Sequence, residues 1–161
     1  MAVDIYLKLD GIPGESHDSK HKDWIQILSF SHSLSQAGSM FSGGGQSTSG
    51  RVDMADVSVM KRVDKSTPKL NWTLASGAHV KSAIIEFCQS TKDKHVFMKY
   101  SFEDVTLSSL QPSAASGGDF PLENLGFRFS KIEWEYTPID EKGGKLPSAK
   151  AWWDVKENKG G

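Results

Sequence analysis

The residues able to do chemistry are scattered along this chain, and their spacing decides what each could do. His17 and His21, four apart with Asp18 and Asp23 beside them, have the composition of a metal cluster. A spacing of four places two ligands together on a helix, but Gly14 and the polar run from Ser16 to Lys22 read as a loop, so the pair is assigned to a solvated polar loop rather than to a metal site. Ser, His and Asp all occur, yet there is no Gly-x-Ser-x-Gly elbow and no His-Glu-x-x-His, and no catalytic residue is assigned. Cys88, the single cysteine, falls in a strand pattern and reads as a small buried side chain rather than a nucleophile. Glu133 and Glu135 share the polar face of a strand with Lys131, the arrangement of a surface ladder rather than of a glycosidase pair. No enzyme activity, metal or cofactor is expected.

The segment Gly38 to Gly50 holds five glycines and four serines, with Gly43, Gly44 and Gly45 in a row. A patternless stretch of this length inside a compact domain is functional or disordered. Ordering each residue costs about 1–2 kcal/mol of backbone entropy, so the segment needs a surface to lie on. Met40 and Phe41 supply apolar contact near its base, and a neighbouring subunit is the natural surface. A plain flexible linker between two strands fits the composition equally well. A phosphate-cradling loop does not, because no Gly-Lys-Ser/Thr, no following helix and no basic residue before Arg51 accompany the glycines.

With 161 residues the chain suits one domain, and 19 basic against 20 acidic side chains leave a net charge of −1. A protein binding nucleic acid shows a basic excess or stripe, so nucleic acid is not an expected partner. The longest apolar runs, such as Ala83 to Ile85 and Val96 to Met98, fall far short of the roughly 20 residues that span a bilayer, and no membrane insertion is expected. The N-terminus lacks a basic segment followed by an apolar one, so no signal peptide is expected.

The elements that must position these groups are mostly strands. Val3, Ile5, Leu7 and Leu9 alternate with Asp4, Tyr6, Lys8 and Asp10, giving a half-buried strand closed by Gly11 to Gly14. Trp24, Leu28, Phe30 and Leu34 share one parity and Ser29, Ser31, Ser33 and Ser35 the other, which predicts one long strand with a smooth hydroxyl face. Period two recurs at Val57 and Val59, at Ala83 to Phe87, at Val96 to Phe102, and at Val105 and Leu107. In Leu125 to Tyr136 the large apolar residues shift from odd to even positions near Ser130, which predicts a β-bulge or a strand half buried on both faces. A last short strand is expected over Ala151 to Val155. One helix is predicted, with Thr67 as cap, Pro68 in the first turn, Leu70 and Leu74 one turn apart, and Gly77 as terminator. Pro112 to Pro121 and Glu141 to Pro147 read as loops. The expected fold is mainly β: a small closed β-barrel of two packed sheets with one short α-helix, as a single domain over 1–161 with an extended loop at 38–50.

Trp72, Trp152 and Trp153 support an alternative, a monomeric β-sandwich that binds glycans or another ligand by aromatic stacking. Adjacent tryptophans in a strand point to opposite faces, so at most one of Trp152 and Trp153 is core, unless the other is covered by a neighbour, and the second is exposed or lies at an interface.

Several stretches in fixed order carry a family resemblance. They are the opening Met1 to Ser16, Ser29 to Gly45, Asp64-Lys65-Ser66-Thr67-Pro68, Ser76-Gly77 with His79, Asp104-Val105 with Ser108-Ser109, and Trp134-Glu135-Tyr136. Together they resemble the haemolysin-coregulated protein (Hcp) family over essentially the whole chain. The resemblance implies a β-barrel subunit that forms homohexameric rings, stacked into the inner tube of a bacterial type VI secretion system. It implies as partners a VgrG-type spike, a contractile sheath with its baseplate, and small effector proteins carried and chaperoned in the ring lumen. It implies a protein cytoplasmic when assembled and then secreted to the outside without a signal peptide. Some members carry a toxic C-terminal enzyme domain; this chain stops at Gly161 after its last expected strand and resembles the plain structural members. Met40, Phe41, Gly43, Gly44 and Gly45 match the extended loop that reaches the adjoining subunit or ring, and Ser29, Ser31 and Ser33 are the expected lumen-facing positions.

Overall fold

A computed structural model describes residues 2–38 and 49–161 of the chain. It is mainly β, with one short helix. β1 (Val3–Leu9) pairs antiparallel with β2 (Ile25–Ile27) on one side and with β7 (His79–Gln89) on the other. β7 pairs along its length with β8 (Val96–Ser113), the longest strand. On its far side β8 changes partner midway: Met98 to Glu103 pair with β10 (Lys131–Tyr136), and Thr106 to Ser113 pair with β9 (Leu122–Arg128). From β10 the sheet continues to β11 (Ala149–Asp154) and β12 (Lys159–Gly160). From β9 it continues to β6 (Val57–Arg62) and then to β3 (Ser29–Ser31). β4 (Leu34–Gly38) and β5 (Ser49–Met54) form a separate two-stranded sheet, with Gly38 opposite Ser49.

Alternation delivers one apolar face from each strand. Leu7, Leu9, Ile25, Ile27, Val57, Val59, Ala83, Ile85, Phe102, Val105, Leu125, Phe127 and Ile132 make a continuous core, and Leu70 of the helix α1 (Thr67–Ser76) closes it. Each such side chain contributes about 1.5–3 kcal/mol by leaving water.

Four expectations change. The single strand from Trp24 to Ser35 is three strands, because Ile25 and Ile27 face the core at odd positions whereas half-buried Phe30 sits at an even one. The phase shifts at Leu28, where the chain leaves β1 and its backbone N–H turns to the Met60 carbonyl at 2.7 Å. Leu28 itself is exposed. The slip near Ser130 is likewise a change of partner, not a bulge in one strand: β9 ends at Arg128 and β10 begins at Lys131 on the other half of β8. Asp104, opposite this break, takes a left-handed φ of 53° that re-aims β8. At the helix, Ser66 and not Thr67 occupies the cap position, since the Thr67 hydroxyl accepts from the Asp64 N–H and donates to Glu123 instead. Gly77 terminates α1 in the left-handed conformation, as its type predicts. The first residues of the Pro112 to Pro121 loop belong to β8, whose last residue is Ser113.

Candidate functional site

Two arrangements stand out on this framework. The first is the outward face of β3, β6, β9 and β8. Ser29 and Ser31 lie on one face of β3, both exposed, with Ser33 exposed just beyond the strand. The ladder register sets Ser31 opposite Ser58, Ser58 opposite Gly126, and Gly126 opposite Ser109. A row of three serines and a glycine therefore crosses four strands. A Cβ on Gly126 would come within 2.5 Å of the Ser109 hydroxyl oxygen, so the row is smooth because its members are small. Arg128 and Asp56 form an exposed ion pair at its edge. Ser58, Ser109 and Gly126 were not foreseen as site residues: the alternation of Ser58 with Val57 and Val59 marks it as outward, but only the register shows which strand lies beside it.

The second arrangement is polar and buried. Asp4 and Tyr6 of β1 and Glu86 and Cys88 of β7 lie on the sheet face opposite the core, as cross-strand pairs Tyr6–Glu86 and Asp4–Cys88. The segment Glu15 to Trp24 folds over them, closed by backbone bonds from Ser16 to the Trp24 carbonyl (3.0 Å) and from Asp23 to the Ser16 carbonyl (2.9 Å). Gly14 permits this approach, since a Cβ there would lie 2.5 Å from the Trp24 carbonyl oxygen. His21 is thereby turned inward and is 1% exposed, which corrects its assignment to a solvated loop; His17 stays exposed. The ring stacks on Tyr6 at 4.3 Å between centroids. Its Nδ1 lies 2.6 Å from Asp18 Oδ2 and its Nε2 lies 2.6 Å from Glu86 Oε2. Each ring nitrogen is thus within hydrogen-bond reach of a carboxylate oxygen. Lys94 extends the network to Asp18 (3.2 Å), Asp4 (3.3 Å) and the Tyr6 hydroxyl, and the hydrogen bond to Tyr6 is the main reason its ammonium holds its proton more tightly than usual.

Cys88 Sγ lies 3.8 Å from His21 Nε2, and with Asp18 on Nδ1 the order of groups is that of a thiol nucleophile with its base and orienter. The chemistry is blocked here. Cys88 is fully buried, burial and the Glu86 carboxylate push its thiol up to about 11, and Nε2 is already committed to Glu86. Glu133 and Glu135 face Trp152 and Lys150 across the β10–β11 ladder, and Glu135 pairs with Lys150 at 3.6 Å. Of the tryptophans, Trp153 packs on the core, Trp152 lies under the Lys131 ammonium at 4.8 Å, and Trp72 stands exposed on α1. Leu28 and Phe120 border a groove of about 780 Å³ with Arg62, Lys65 and Asp23, and Leu34, Tyr136 and Leu146 are also exposed. Met40, Phe41, Gly43, Gly44 and Gly45 lie outside the described residues, between β4 and β5.

A mainly β chain with one short helix is the fold of solved proteins of type VI secretion. Residues 6–136 match the family of the type VI secretion system effector Hcp, and the chain belongs to the Hcp family. It is 32% identical over 160 residues to protein hcp1 of Pseudomonas aeruginosa, covering 98% of both chains. Among solved structures, it superposes on a type six secretion system protein with a TM-score of 0.94 at 34% identity, covering 99% of this chain and 100% of the other. It also superposes on Hcp1 from Salmonella typhimurium with a TM-score of 0.81 at 32% identity, covering 99% of each.

Proposed function

We propose that this chain is a structural subunit of the type VI secretion inner tube, forming homohexameric rings that stack head-to-tail. The observation that carries the reading is the exposed serine row Ser31, Ser58 and Ser109 with Gly126, beside Ser29 and Ser33, on a chain whose apolar core is already complete. Such a face presents hydroxyls without deep pockets or fixed charge along the row, which suits the wall of a lumen that must hold a folded effector and then release it. Ring closure gives the exposed apolar residues Leu28, Leu34, Trp72 and Phe120 neighbours to cover them, since a head-to-tail interface that closes satisfies every subunit equally. Met40, Phe41, Gly43, Gly44 and Gly45 are the residues we assign to contact with the adjoining subunit or ring. A VgrG-type spike, the contractile sheath and the baseplate are the partners of the assembled tube. The subunit assembles in the cytoplasm, is expelled by sheath contraction, and acts as carrier and chaperone, not as an enzyme.

Native mass spectrometry of the purified protein over a range of concentrations tests this. A dominant six-fold mass is expected. A strict monomer at every concentration overturns the ring and makes ligand binding by an isolated β-sandwich the reading to pursue.

A further inference from the structure

We propose that His21, Glu86 and Cys88 form a binding site for a thiophilic divalent cation of the zinc class, with Asp18 as the carboxylate that orients the histidine. One ligand atom from each of His21, Glu86 and Cys88 lies within 4.8 Å of the other two, on a single face of β7 and the segment that covers it. A tetrahedral ion with bonds of about 2.0–2.3 Å needs nitrogen and sulfur about 3.6 Å apart and nitrogen and oxygen about 3.3 Å apart. His21 Nε2 and Cys88 Sγ are 3.8 Å apart and need almost no movement. Glu86 Oε2, now 2.6 Å from Nε2, must withdraw by about 0.7 Å. It belongs to the most solvent-exposed side chain of the three, at 16%, and is the one with room to move. The Asp18 carboxylate on Nδ1 already fixes the ring so that Nε2 faces the ion, the carboxylate–histidine arrangement that holds metal ligands in place.

Charge favours a cation here: Asp4, Asp18 and Glu86 bring three carboxylates to the cluster against the single ammonium of Lys94. The ion bonds to Sγ in place of the thiol proton, which leaves to solvent. Three protein ligands leave a fourth position for water. The sequence pointed away from metal at His21 because it paired that residue with His17; the fold pairs it with two residues of β7 more than sixty positions away.

The site stands independently of ring assembly and is tested on the intact chain with Co²⁺ as the probe. Cys88 is the single cysteine, so a near-ultraviolet thiolate-to-cobalt charge-transfer band can arise from it alone. One Co²⁺ per chain and that band are expected. Cys88→Ser and His21→Gln should abolish the band. Asp18→Asn should keep it and weaken binding about 10–100-fold. His17→Ala, in the same segment but outside the cluster, should change nothing. A folded wild-type chain that binds no Co²⁺, or binds it without the thiolate band, overturns the site, as does a band indifferent to His21→Gln. Oligomeric mass, read separately, reports on the ring and not on the ion.

Discussion

Asp18 feels two opposing influences. Burial raises its carboxyl, but hydrogen bonds from His21 and Lys94 outweigh that and hold it below the ordinary value of 3.8. The folded chain therefore binds this proton less tightly than the unfolded chain does. Asp18 contributes its full stability above the ordinary carboxylate range and loses it as pH falls through the lower, folded value. Asp18→Asn should be less stable than wild type at neutral pH, and the gap should close as pH drops below about 4. Urea denaturation in pH steps checks this; a gap independent of pH would show that Asp18 acts by packing alone. Asp104 shifts the same way on the surface, where Ser130, Lys156 and His79 all donate to it at the point where β8 changes partner.

At the scale of elements, α1 is bolted to the sheet through charge. Lys61 of β6 and Glu123 of β9 are both fully buried and paired, and Lys61 also reaches Asp64 at 3.0 Å and the Arg62 carbonyl at 2.8 Å. The Thr67 hydroxyl at the start of α1 donates to the same Glu123 oxygen at 2.7 Å. Removing one member strands a buried charge, at a cost of about 3–5 kcal/mol, whereas replacing both by apolar groups leaves only the partly exposed carboxylate of Asp64 without its Lys61 partner. Lys61→Met should lose stability on that scale, and Lys61→Met with Glu123→Leu should recover most of it in chemical denaturation. Failure of the double variant to recover would mean that α1 depends on the charges for its position and not only for their mutual neutralisation. The strand breaks at Leu28 and Ser130 belong to this scale too: a shift of hydrophobic parity was readable at Ser130, but its cause is a change of ladder partner that no local pattern encodes.

For the whole molecule, the serine row makes the proposed lumen testable. Ser31→Gln places a long amide beside Ser58 while leaving the core untouched. Ring mass and thermal stability should be unchanged, and co-produced effectors should lose protection from degradation. Unchanged effector levels with an intact ring would remove this face from cargo contact.

Alternation by itself determined the mainly β class, the inward faces of β6, β7 and β9, the single helix with its Gly77 stop, and the outward serines, because side-chain parity and turn chemistry are local properties. The ordered motifs also carried the Hcp resemblance. Tertiary structure alone decided that Tyr6, at a polar-parity position, is buried, that His21 turns inward to Glu86 and Cys88, and that Ser31, Ser58, Gly126 and Ser109 share a row. Each depends on which distant segment lies across a strand, and that is set by the register and packing of the whole sheet rather than by any residue's neighbours in sequence.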